Sequence, residues 1–266
     1  MLNGAKSIQG DGPMRGKLAK YQLGNRSIYV YTPPSYDEND TDLYPAVIVQ
    51  DGSYLFVDSM EELEADFASG ITQEVLFIGI QPHRRDCEYT PWKAEPLQEG
   101  EVFGGEGDRY LDFVTEKVIP FVRERYRITE DTSQIGITGG SLGALISLYA
   151  AFQKPDYFGR FIMMSASLWF ENFVSYVESS TFTQNDVRLY MYVGETEGVG
   201  RDNLQQYMVP NTKKVYRILT DKIPGGADQI MLETDPEGVH SHQYFNKYFP
   251  RGMRFAYPGP SVIQRA

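Results

Sequence analysis

Apolar positions along this chain change period several times, and each change marks a different kind of element. Two short β-prone runs, residues 18–23 and 27–32, stand either side of Gly24-Asn25, a pair suited to a hairpin turn. Pro33-Pro34 ends that hairpin, because proline donates nothing to a ladder. A polar stretch over residues 37–42 leads into Tyr44-Pro45-Ala46-Val47-Ile48-Val49-Gln50, an apolar run typical of a strand buried on both faces. Residues 75–80 repeat that pattern. Between the two, residues 59–69 combine acidic and spaced apolar positions, which predicts a crossover helix.

Leu111, Val114, Val118, Phe121 and Val122 recur at helical spacing within residues 108–125, which predicts a surface-packed helix bent at Pro120. Further β-prone runs at residues 134–138, 161–165, 187–193 and 229–233 are mostly separated by helical patterns. The alternation predicts an α/β fold: a mostly parallel central sheet, an antiparallel N-terminal hairpin, and helices on both faces. The longest irregular stretches are residues 81–107 and 194–201, and no internal repeat or low-complexity segment interrupts the chain. With 266 residues and 41% hydrophobic content, one domain over 1–266 is expected, with 82–107 as a lid or rim loop.

Charge and cysteine content then narrow the partners. A net charge of -11 without a long basic stripe argues against nucleic acid, whose binding rests on clustered Lys and Arg. No apolar run approaches the roughly 20 residues of a membrane span, and residues 1–13 are polar and Gly-rich, unlike a secretory signal. A soluble, cytoplasmic protein with no membrane partner is expected. Cys87 is the single cysteine, so no intrachain disulfide, cysteine zinc cluster or Cys-x-x-Cys redox pair can form. The partner expected instead is a small-molecule ester, and self-association into a homo-oligomer is compatible with the sequence.

The chemistry begins at Gly139-Gly140-Ser141-Leu142-Gly143, a G-x-S-x-G sequence between a β-run and an apolar run that reaches Gln153 before Pro155. In a nucleophile elbow the serine occupies a sharp strand-to-helix turn, so small neighbours let the backbone tighten and expose the hydroxyl. The following helix aims its first amides at the site, which makes the Leu142 N–H a candidate oxyanion donor. A bare serine is a weak nucleophile and needs a base, and the base needs an acid that holds its tautomer. In the α/β-hydrolase fold the order is Ser, then Asp or Glu, then His, which excludes His83 and leaves His240 and His242. Residues 187–193 run into Gly194-Glu195-Thr196-Glu197, where either glutamate can reach the site; Glu197 is favoured because its G-x-x-acid turn at a strand end resembles the usual placement in related hydrolases.

The whole stretch from about Ser27 to Phe255 resembles the esterase family that includes esterase D, enterochelin esterases and feruloyl-type esterases. The resemblance rests on residues 49–56, on Arg85-Asp86-Cys87-Glu88-Tyr89-Thr90-Pro91, on residues 113–126 and 137–144, and on Ser165-Ala166-Ser167-Leu168-Trp169. It implies a serine esterase without metal or organic cofactor, acting through Ser141, His240 and Glu197. His240 is implied because it stands about ten residues before Phe249-Pro250, while His242 falls where the family has an aromatic residue. The residue after Asp51-Gly52 is implied to supply the second oxyanion amide, which assigns Ser53 beside Leu142.

Substrate identity is set by loops around such a site. The segment 82–107 is expected to bring His83, Arg84, Arg85, Tyr89, Trp92 and Lys93 near a mouth also lined by Trp169 and Phe170. Arg85, Trp169 and Tyr54 are the candidate substrate-binding residues. Cationic and aromatic groups together suit an anionic aromatic acyl ester, such as a catecholate siderophore or a hydroxycinnamate. An acyltransferase, a carbohydrate acetyl esterase and a non-catalytic binding protein are the competing readings.

Overall fold

The computed structural model describes residues 6–7, 14–38, 40–100 and 102–263. Its strands are β1 (Lys6–Ser7), β2 (Lys17–Leu23), β3 (Arg26–Thr32), β4 (Ala46–Gln50), β5 (Leu76–Ile80), β6 (Lys93–Ala94), β7 (Phe103–Gly104), β8 (Ile135–Gly140), β9 (Arg160–Met164), β10 (Arg188–Gly194) and β11 (Ile230–Asp235). Nine of them form one sheet in the order β1-β2-β3-β5-β4-β8-β9-β10-β11. The strands from β5 to β11 in that order are parallel, and β1, β2 and β3 join them antiparallel. The fold is therefore the expected mixed α/β architecture with an antiparallel entry.

Both faces of the inner parallel strands β4, β5, β8, β9 and β10 are buried, which explains their apolar runs, whereas the edge strand β11 exposes Met231. Along β4, Ala46 and Ile48 point into one core and Val47 and Val49 into the other. Strand β10 splits the same way, with Leu189, Met191 and Val193 opposite Tyr190 and Tyr192. Helices Leu142–Gln153 and Met208–Lys222 cover the first face, and helices Met60–Ala68 and His242–Ala256 the second. Among the described residues no helix is long and apolar enough to cross a membrane.

Two expectations change in detail. The helix predicted over 108–125 is three pieces: an α-segment Gly107–Phe113, a π turn Val114–Val118, and a second α-segment Ile119–Arg123. The ring of Pro120 would press on the carbonyl one turn earlier, and a wider turn there relieves that contact. The stretch expected to be irregular from 81 to 107 contains a short helix Arg85–Glu88 and the two-stranded ribbon of β6 and β7. Elements of four and two residues are too short for any period to register.

The chain order places the site. Strand β4 is flanked by β5 on one side and by β8 on the other, so successive crossovers leave it in opposite directions. Such a switch point opens a crevice at the carboxyl ends of the two strands, here Gln50 of β4 and Gly140 of β8.

Helix His242–Ala256 closes the second face, burying Phe245, Phe249, Met253 and Ala256 at helical spacing. Gly252 lies so close to the sheet that a Cβ there would stand 2.6 Å from Ile162 Cγ2 and 2.9 Å from Tyr190 Cδ1. Gly252→Ala is therefore expected to lower stability by about 1–3 kcal/mol despite alanine's better helix propensity. Urea denaturation measures it, and an unchanged or higher midpoint would contradict the packing described.

Candidate functional site

Ser141 links β8 to helix Leu142–Gln153 with φ 59° and ψ -121°, a conformation that L side chains rarely adopt. Backbone bonds on both sides impose it. The Ser141 N–H donates to the Met164 carbonyl at 2.9 Å, and its own carbonyl accepts from the amides of Leu145 and Ser167 at 3.0 and 3.1 Å. The neighbours have no room for side chains: a Cβ on Gly139 would lie 2.7 Å from the Gly143 carbonyl carbon, and one on Gly140 2.7 Å from the Phe245 ring.

Two later strand ends bring up the partners. His240, in the loop after β11, sets Nε2 3.0 Å from Ser141 Oγ and Nδ1 2.7 Å from Glu197 Oε2. Phe245 meets the imidazole edge-on, with ring centroids 5.2 Å apart. Glu197 follows β10 with its side chain 1% exposed. Its second oxygen accepts from Ser165 Oγ at 2.6 Å and from the Gly194 N–H at 2.9 Å. A carboxylate only accepts, so a neutral imidazole here carries its proton on Nδ1 toward Glu197 and leaves the Nε2 lone pair toward the serine. That arrangement can take a proton from Ser141.

The other candidates fall elsewhere. Glu195 points outward to Thr234 Oγ1 and Lys213 Nζ, at 2.9 and 3.4 Å, and those two partners hold its carboxyl below the ordinary value. His242 stacks on Tyr54 with ring centroids 4.3 Å apart. Leu142 is the first residue of its helix, and Ser53 immediately precedes the helix Tyr54–Val57, so neither amide has an intrahelical acceptor. The Asp51 and Gly52 amides, by contrast, go to the Tyr89 hydroxyl and the Ile80 carbonyl.

Two recesses meet at Ser141 and His240. One is lined by Asp51, Tyr54, Arg85, His242 and Phe245. The other, smaller one is lined by Trp169, Gly198, Arg201, Gln205 and Met208. Arg85 is held by both oxygens of Asp51, at 2.8 and 2.9 Å. Burial, reinforced by the nearby Asp51 charge, pushes the Tyr54 phenol well above its usual pKa and keeps its proton in place.

Of the residues expected at the mouth, Arg85 and Trp169 line these recesses. His83 and Arg84 line a separate recess with Arg26, Glu88, Arg109 and Lys117. Lys93 is exposed on β6. Tyr89 is fully buried, Phe170 is buried, and Trp92 packs among Phe170, Phe173 and Tyr176 with its indole N–H on the Glu171 carbonyl. Sequence reasoning assigned no role to Asp51, Ser165, Ser167, Arg201 or Met208. A pair of serines just past a buried strand was the available signal for Ser165 and Ser167.

A serine turn at the switch point of this sheet, with the neighbouring strand ends converging on it, defines an α/β-hydrolase fold. The chain belongs to the esterase family: the family model described as "Putative esterase" matches residues 22–256. It is a carboxylic ester hydrolase. The chain is 37% identical over 245 residues to "Uncharacterized protein YbbA" of Bacillus subtilis, covering 92% of this chain and 97% of that one. It is 27% identical over 152 residues to the siderophore triacetylfusarinine C esterase of Aspergillus fumigatus, covering 53% and 50% of the two chains. The solved structure of siderophore hydrolase EstB from Aspergillus nidulans superposes with a TM-score of 0.70 at 20% identity, over 95% of this chain and 97% of that one.

Two outcomes follow from this geometry. Ser165→Ala removes a hydroxyl donor from a buried carboxylate and is expected to cost about 1.5–3 kcal/mol in urea denaturation; an unchanged midpoint would mean Glu197 finds that bond elsewhere. Farther out, Glu88 ties the rim to β3. Burial alone would raise its pKa, but the paired Arg26 at 2.7 Å and the His83 and Arg84 amides hold it below the ordinary 4.5. A lowered folded-state pKa gives stability that is complete above the unfolded value and lost as pH falls through the folded one. Glu88→Gln is therefore expected to flatten the decline of stability below about pH 4.5, read from melting temperatures across pH; a decline of wild-type steepness would show that Glu88 is not its source.

Proposed function

We propose that this esterase cleaves its substrate through a Ser141-His240-Glu197 triad and an acyl-serine intermediate. The observation that carries the reading is the pair of hydrogen bonds running from Ser141 Oγ through His240 to Glu197, at 3.0 and 2.7 Å. His240 Nε2 takes the serine proton as Oγ attacks the ester carbonyl, and the amides of Leu142 and Ser53 receive the oxyanion. The imidazolium then protonates the departing alcohol. Water, deprotonated by the same ring, releases the acid, and Glu197 keeps the ring oriented and stabilises its charged form.

The substrate class we favour is a siderophore or other aromatic acyl ester, with segment 82–107 as a rim over the site. In support, the Aspergillus fumigatus relative is named as a siderophore esterase. Arg85 and Tyr54 on one side of Ser141, and Trp169 on the other, offer a cation, a phenol and an indole to an anionic aromatic group.

Steady-state hydrolysis of p-nitrophenyl acetate, butyrate and octanoate without added metal tests the mechanism. Ser141→Ala and His240→Ala are expected to lose roughly 10⁵–10⁶-fold in kcat, and Glu197→Gln roughly 10⁴-fold, with melting temperatures preserved. Wild-type rates in either of the first two variants would remove the triad. A catecholate trilactone tests the substrate class: no turnover beside brisk cleavage of simple acetyl esters would sink it.

A further inference from the structure

A second hydroxyl touches the proposed nucleophile. Ser167 lies three residues past β9 and is fully buried, with Oγ 3.1 Å from Ser141 Oγ. Backbone bonds on both sides fix it: its amide donates to the Ser141 carbonyl at 3.1 Å, and its carbonyl accepts the Phe170 N–H at 2.9 Å. Among the described residues, Ser141 Oγ is the partner its hydroxyl takes.

Proton counting gives the direction of that bond. In the neutral form that the general-base role of His240 requires, the ring carries one proton; the Glu197 carboxylate only accepts, so that proton sits on Nδ1 and Nε2 is an acceptor. The single hydroxyl proton of Ser141 therefore points to Nε2, 3.0 Å away. Toward Ser167 the Ser141 oxygen can only accept, and Ser167 is the donor.

We propose that Ser167 is a further catalytic residue, whose hydroxyl stabilises negative charge on Ser141 Oγ when that oxygen leaves during deacylation. The proposal rests on the acyl-serine reading above. In acylation, Oγ bonds to the carbonyl carbon, its proton passes to Nε2, and the carbonyl electron pair moves to the oxyanion. A donor on Oγ draws density from the attacking atom and gains little there. In deacylation, water adds to the acyl carbon and gives a proton to His240. The intermediate then collapses: the carbon–Oγ bond breaks, its electron pair stays on Oγ, and Oγ takes the proton from the imidazolium. An ester oxygen is a poor acceptor and a departing alkoxide a strong one, so the Ser167 bond tightens only as the transition state forms.

Pre-steady-state hydrolysis of p-nitrophenyl acetate by wild type and Ser167→Ala separates the two half-reactions. The expected result is a fall in kcat of roughly 10–100-fold, the range of a hydrogen bond to a charged group, with kcat/KM changed less than about threefold. A p-nitrophenol burst near one equivalent and an acetylated enzyme in the intact mass should accompany it. Ser167→Cys, which keeps a weak donor, should fall between the two. A kcat within twofold of wild type, or kcat and kcat/KM falling together without a burst, would overturn the proposal by leaving Ser167 a purely structural contact. Hydrolysis that survives Ser141→Ala would instead overturn the acyl-serine reading, and this proposal with it.

Discussion

The site depends on a backbone held at positive φ at Ser141, a conformation that costs a non-glycine residue about 1–3 kcal/mol. It persists because the surroundings over-determine it. The turn is pulled from one side by the Met164 carbonyl, from the other by the Ser167 amide, and is continued by a helix whose residues from Leu142 to Ala151 are all buried. With the serine pinned in this way, its hydroxyl stands clear of its own helix and meets His240 and Ser167 from different directions.

A second feature of the site is a glutamate side chain held out of water. Burying an ion is expensive unless its lone pairs are met. Glu197 meets that condition with an imidazole N–H, a hydroxyl and a backbone amide. The segment Ser165-Ala166-Ser167 therefore serves both ends of the hydrogen-bonded chain, one hydroxyl on Glu197 and the other on Ser141. Ser165 itself sits at φ 47°, a second strained position in contact with the site. Arg85 is treated in the same way: Asp51, also at positive φ, clamps the guanidinium at the mouth with two bonds, so a cation stays ordered beside the serine in a chain of net charge -11.

Much of this was legible in the chain because it depends on local patterns. Buried strands announce themselves by apolar runs, and the elbow by small residues crowded around one serine between a strand and a helix. Those features follow from backbone sterics and from which faces must be dry, and both act over a few residues. Helix 108–125 was legible as a helix but not as one with a π turn, since apolar spacing reports which side is buried and not how the carbonyls ahead of Pro120 are rearranged.

Tertiary structure decided between chemically equal neighbours where the residues themselves left both open and only the family resemblance favoured one. Glu195 and Glu197 lie two residues apart after β10, yet one reaches solvent and Lys213 while the other is buried against His240. His240 and His242 are separated by the same spacing, and only one meets Ser141; the other stacks on Tyr54. Arg84 and Arg85 are adjacent and enter different recesses. By itself the sequence determined the sheet, the elbow and the set of groups available for chemistry. Which of them converge depended on strand ends far apart in the chain, because a hydrogen bond needs its partners within about 3 Å and only the folded sheet sets such distances.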